Sequence, residues 1–97
     1  MSALMIATIT VKDPEKLQQY LAKTQVVAAP YGAEFLIRGK ADRSLSGHDK
    51  DHGLVVAVRF PSIEKINEWV DSEEYQLLIP LREEGAAMKM ISYEAMG

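Results

Sequence analysis

The sequence predicts one α+β domain over residues 1–97, built as a four-stranded antiparallel sheet with helices on a single face. Three observations lead there. Four short runs, at 3–11, 33–39, 54–60 and 88–95, are rich in β-branched and apolar residues. Two helix start signals, Asp13-Pro14-Glu15 and Pro61-Ser62-Ile63, separate the first run from the second and the third from the fourth. The resulting order is β-α-β-β-α-β, which with right-handed crossovers gives the ferredoxin-like split arrangement and places the first and third strands in the middle.

Each element has a local cause. The first strand ends at Asp13, an N-cap residue, followed by Pro14 at the first helical position and Glu15 in the first turn. The helix from 14 to about 29 carries Leu17, Tyr20, Leu21, Thr24, Val27 and Ala28 on one stripe, and Pro30-Tyr31-Gly32 ends it. In the second strand, period-two alternation puts Phe35 and Ile37 on one face and Glu34, Leu36 and Arg38 on the other. Residues 40–53 are polar and glycine-containing and read as a long mobile loop. After the third strand, Ser62 caps a helix with Ile63, Ile66, Trp69 and Val70 on one face. Asp71 or Ser72 caps a short turn containing Tyr75. Pro80 restarts a helical piece through Leu81, Arg82 and Glu83 that Gly85 ends.

Composition narrows the function class. The chain is 47% hydrophobic and 26% charged, ordinary for a soluble globular domain. A net charge of -3 without a basic cluster argues against a nucleic-acid partner. With no cysteine there is no disulfide, thiolate metal site or cysteine nucleophile. The apolar stretch Met1–Ile9 lacks a positive leader and is far short of the ~20 residues of a membrane span, so the expectation is a soluble, cytoplasmic protein with no membrane partner.

The central strands are apolar on both faces. In the third strand Leu54, Val56, Val58 and Phe60 oppose Val55 and Ala57; in the first, Met5, Ile9 and Val11 oppose Leu4 and Ile6. Helices on one face leave the other uncovered, and an exposed apolar face of several hundred Å² is rare on a monomer. A homodimer packed sheet to sheet is therefore expected.

Candidate chemistry is sparse. The second sheet face collects Thr8, Thr10, Glu34, Arg38, Arg59 and Tyr93. An arginine there can hold a carboxylate or enolate, or else simply pair with Glu34 or reach solvent. Tyr31, Trp69 and Tyr75 read either as core aromatics or as the wall of a pocket, with Arg82 a second polar contact. His48 and His52, flanked by glycines, read as solvated loop residues rather than metal ligands, so no metal is expected. The serines have no nucleophile-elbow context, and neither a phosphate loop nor a dinucleotide fingerprint is present.

Asp13-Pro14-Glu15 with Tyr20, Tyr31-Gly32 with Arg38-Gly39, and Phe60-Pro61-Ser62 with Trp69, Ser72, Glu74-Tyr75-Gln76 and Arg82 together resemble the domain-of-unknown-function 1330 family over nearly the whole chain. The chain departs from that pattern at Lys40, at Val70 and over most of the 40–53 loop. The resemblance implies a dimeric α+β barrel. That superfamily includes cofactor-free monooxygenases and muconolactone isomerases, whose ligands sit between sheet and helices; none of their catalytic motifs is visible here. Three readings stay open. One is a cofactor-independent small-molecule enzyme, monooxygenase- or isomerase-like, using Arg38, Tyr31, Trp69, Tyr75, Arg82 and Arg59. The second is a non-catalytic ligand-binding or stress-associated homodimer using the same cavity. The third is a purely structural interaction protein.

Overall fold

The computed structural model describes residues 2–47 and 53–96. Its sheet is antiparallel throughout and contains β1 (Ala3–Val11), β2 (Glu34–Lys40), β3 (Leu54–Phe60) and β4 (Ala86–Glu94), in the spatial order β2-β3-β1-β4. The two apolar runs at the centre are those that sequence patterning placed there. On one face lie α1 (Pro14–Ala28), α2 (Ile63–Asp71), α3 (Glu73–Gln76) and α4 (Ile79–Gly85).

The helix ends form where the capping residues stand. Asp13 Oδ1 accepts from the Glu15 and Lys16 amides at 3.1 and 3.3 Å. Ser62 Oγ accepts from Lys65 N at 3.2 Å. At the next junction Ser72, not Asp71, is the cap. Its Oγ accepts from Tyr75 N at 3.1 Å and donates to the Trp69 carbonyl at 2.6 Å, joining α2 to α3. Gly85 ends α4 against the start of α1: its carbonyl accepts from Lys12 N and Asp13 N at 2.9 and 3.0 Å. A Cβ on Gly85 would stand 2.6 Å from Leu17 N, so only glycine permits this approach.

The core lies between sheet and helices. Ala3, Met5, Ala7 and Ile9 of β1 meet Val56, Val58 and Phe60 of β3 on the inner face, with Leu17, Tyr20, Ile66, Trp69 and Tyr75 above them. Phe60, Trp69, Tyr75 and Tyr20 form a run of aromatics, with successive ring centroids 5.3, 4.7 and 6.3 Å apart.

One expectation is corrected. Strict alternation in β2 put Arg38 with Glu34 and Arg59, opposite Ile37. The pairing instead shifts between Phe35 and Ile37, leaving Leu36 as an extra residue: Phe35 pairs with Val58, Ile37 with Ala57 and Arg38 with Val56. One inserted residue reverses every later side chain. Ile37 therefore lies on the open face, and Arg38 lies on the helix-covered face beside the inward-pointing Val56.

Glu34 and Arg59 stay on the open face and pair at 3.4 Å. An apolar row crosses that face, with a mixed row beside it. Ile37, Ala57, Ile6 and Ile91 stand in register, and the next row holds Arg59, Leu4 and Tyr93. Ile37, Ile91 and Tyr93 are 57%, 49% and 50% exposed.

Candidate functional site

Between α1 and the sheet opens a cleft of about 390 Å³. Ile9, Leu54 and Val56 form its floor, and Leu17 and Leu21 of α1 its roof. Gln18, Arg38 and Lys40 supply the polar groups at its rim. The β2 bulge creates this arrangement, because without it Arg38 would project from the opposite face. An apolar slot with a guanidinium at its edge suits a small ligand carrying an anionic or enolic oxygen. A side lobe of about 150 Å³ continues beneath Gln25 and Phe35.

Deeper in, a void of about 20 Å³ lies under Tyr20, Thr24 and Trp69. Its origin is in one cross-strand row: Arg38, Val56, Ala7 and Met90 are consecutive partners across the four strands. Ala7 at the centre of that row offers only a methyl group, so the space above it is unfilled. Thr24 Oγ1 and Trp69 Nε1 are buried with no hydrogen-bond partner among the described residues. Thr24 sits close enough to Tyr20 to bear on its ionisation, yet no hydrogen bond of ordinary length joins them.

At the far end of the same row, about 14 Å from Arg38 at ~4.8 Å per strand, is a second pocket of about 310 Å³. It is lined by Val70, Tyr75, Arg82, Met88 and Met90. Arg82 Nη1 donates to Tyr75 Oη at 2.9 Å and lies 3.6 Å from Met90 Sδ, while Nη2 meets Glu83 at 3.3 Å. Tyr75 Oη and Tyr20 Oη are 2.7 Å apart. Partial burial works against the Arg82 charge, but its contacts with Tyr75, Glu83 and Tyr20 together outweigh it and its pKa is raised. Burial, reinforced by the neighbouring Tyr75, pushes the Tyr20 phenol well above its ordinary range, so it stays protonated as a donor.

The candidates named from the sequence thus separate. Arg38 borders the cleft. Trp69 lines the void, and Tyr75 and Arg82 line the second pocket. Tyr31 packs half-buried against the core and borders neither the cleft nor the void. Arg59 is on the opposite sheet face with Glu34. Gln18, Tyr20 and Thr24 join the site although sequence reading had assigned the latter two only to a packing stripe. Their signal was available: two polar-tipped residues at i, i+4 on an otherwise apolar face. No group of three or more metal-ligating side chains converges among the described residues. His48 and His52 lie outside those residues.

A family model described as a domain of unknown function (DUF1330) matches residues 2–96. Comparison with curated proteins gives no match. Among solved structures, the chain is similar to RPA0582, a protein of unknown function from Rhodopseudomonas palustris, at TM-score 0.82 and 15% identity, covering 99% of this chain and 83% of that one. A dimeric ferredoxin-like protein of unknown function from Jannaschia sp. CCS1 superposes at TM-score 0.75 and 10% identity, covering 98% and 100%. SnoaB from Streptomyces nogalater, a cofactor-independent oxygenase, superposes at TM-score 0.71 and 13% identity, covering 99% and 94%. At these identities the likeness is one of fold.

Proposed function

The chain belongs to the DUF1330 family, and from that premise we propose that it is a homodimeric, cofactor-independent enzyme acting on a small anionic or enolisable molecule, in the manner of monooxygenases or isomerases of the dimeric α+β barrel type. The observation that carries the reading is the apolar cleft with Arg38 at its rim. In it Arg38 fixes a carboxylate or enolate by paired N–H donors, and the walls exclude water from the reacting carbon. The similarity to SnoaB is in keeping with such chemistry.

The uncovered apolar row on the outer sheet face, with Leu4 and Tyr93 beside it, supports sheet-to-sheet pairing of two copies. The described dimeric state of fold neighbours is in keeping with it. A cytoplasmic location belongs to the same proposal, and the lack of cysteine is in keeping with it; none of the described helices is long and apolar enough to cross a membrane.

One observation favours a second reading, a non-catalytic ligand-binding or stress-associated homodimer. The polar groups bordering the cleft are Gln18, Arg38 and Lys40, which bind well but include no evident general base.

Native mass spectrometry of gently purified protein tests the proposal. A dimer carrying extra small-molecule mass, lost in Arg38→Ala with the fold retained, is the expected result. A monomer overturns the assembly, and a ligand retained equally by Arg38→Ala overturns the cleft as its site.

A further inference from the structure

We propose that the void under Trp69 is a donor pocket for a single acceptor oxygen, the carbonyl or enolate oxygen of a ligand whose body lies in the Arg38 cleft. This rests on the cleft being a ligand site and adds the group that the interior recognises.

The first observation is chemical. Thr24 and Trp69 are 4% and 1% exposed, and both Thr24 Oγ1 and Trp69 Nε1 are without partners. Buried N–H and O–H groups are nearly always satisfied, because an orphaned one forfeits its hydrogen bonds to water. Thr24 and Trp69 both line this one void, so a small group seated there is placed to complete them. The indole N–H can only donate.

The second observation is the direction of the neighbouring hydrogen bonds. Arg82 has no acceptor, so its bond to Tyr75 Oη runs from Arg82 to Tyr75. Tyr75 Oη lies 2.7 Å from Tyr20 Oη and 3.4 Å from Met90 Sδ; by donating to the thioether it can accept from Tyr20 as well, the direction in keeping with the raised Tyr20 pKa. The Tyr20 proton is then directed to Tyr75, although Tyr20 also lines the void. The other walls are hydrocarbon and methionine, so the donors left to the void are the Thr24 hydroxyl and the Trp69 indole N–H.

The third observation is size and access. About 20 Å³ admits one water-sized group, the volume of an oxygen atom rather than of a molecule. Ile9, Leu21 and Val56 wall both this void and the cleft, so the two spaces are neighbours, and the proposal seats the ligand's oxygen in one and its body in the other. An enolisable carbonyl compound suits both ends. Donors held in a low-dielectric interior stabilise negative charge developing on that oxygen, and Arg38 holds any second anionic group.

The single tryptophan makes the test direct, since one indole N–H resonance reports the pocket. The probe is benzoylacetone, an enolisable diketone with a flat apolar body, titrated into ¹⁵N-labelled protein. The expected result is a saturable shift of the Trp69 indole resonance, with affinity weakened roughly tenfold in Thr24→Val, the scale of one lost buried hydrogen bond. Ala7→Val, which fills the void without altering a polar atom, is expected to abolish the indole shift. Saturable shifts around Arg38 with the indole unmoved would overturn the donor pocket and leave the cleft reading standing. Equal affinity in wild type and in a folded Thr24→Val and Ala7→Val would also overturn it. The absence of saturable shifts anywhere would overturn both readings.

Discussion

Replacing Ile91 by lysine tests the assembly at its most informative point. Ile91 stands in register with Ile6, Ala57 and Ile37 on the uncovered sheet face, at 49% exposure. Full burial of such a side chain is worth ~1.5–3 kcal/mol, so covering the exposed half contributes about 1 kcal/mol per copy. Ile37 and Tyr93, at 57% and 50%, are similar. Together the three supply roughly 3 kcal/mol per protomer and about 6 kcal/mol per dimer, before the entropic cost of association. Ile91→Lys appears twice in a symmetric dimer. It removes about 2 kcal/mol of transfer energy, about 30-fold in Kd, and adds the penalty of desolvating two ammonium groups of like charge. Sedimentation velocity across the micromolar range should show the wild type as a dimer and Ile91→Lys dissociating to monomer. Val26→Lys, at a position 74% exposed on α1, should leave the dimer intact. If Ile91→Lys sediments like the wild type, or the wild type is itself a monomer at those concentrations, the argument from the uncovered sheet face fails.

Further outcomes follow from single contacts. Gly85→Ala places a methyl group 2.6 Å from the Leu17 backbone nitrogen, where neither side can yield by rotating a side chain. It should destabilise by about 3 kcal/mol in urea unfolding, at the upper end of overpacking effects; an unchanged midpoint would mean that α1 and α4 can separate freely. Ser72→Ala removes a cap that both accepts from Tyr75 N and donates to the Trp69 carbonyl, for an expected loss of about 1 kcal/mol and a shifted Trp69 fluorescence maximum.

Tyr20 predicts a pH effect. Its folded pKa lies above its unfolded value, so its stabilising contribution is complete below about pH 10 and is lost as pH rises beyond that, when only the unfolded chain ionises. Thermal midpoints should therefore fall in alkali, and Tyr20→Phe should flatten that fall. Identical slopes would refute the assignment.

Much of the fold was legible because its determinants are local. Asp13-Pro14 and Ser62 start helices by satisfying the amides that follow them. Ser72 ends one helix and starts the next through its single hydroxyl. The apolar runs around Met5 and Val56 are central because both their faces need cover. Arg38, Trp69, Tyr75 and Arg82 could likewise be picked out as unusual groups within apolar surroundings.

What only the tertiary structure decided is where those groups point and what meets them. Leu36 is as strand-compatible as its neighbours, so nothing in its own chemistry marks it as the extra residue of a bulge. That residue alone turns Arg38 into the cleft and away from Glu34 and Arg59. The hydroxyls of Tyr20 and Tyr75 meet across 55 positions of chain, and the void under Trp69 exists because Ala7, Thr24 and Trp69 converge from three elements. Caps and periodicity are settled by a few adjacent residues. Register, cavity and hydrogen-bond direction are set by elements distant in sequence, and they arise only when those elements pack.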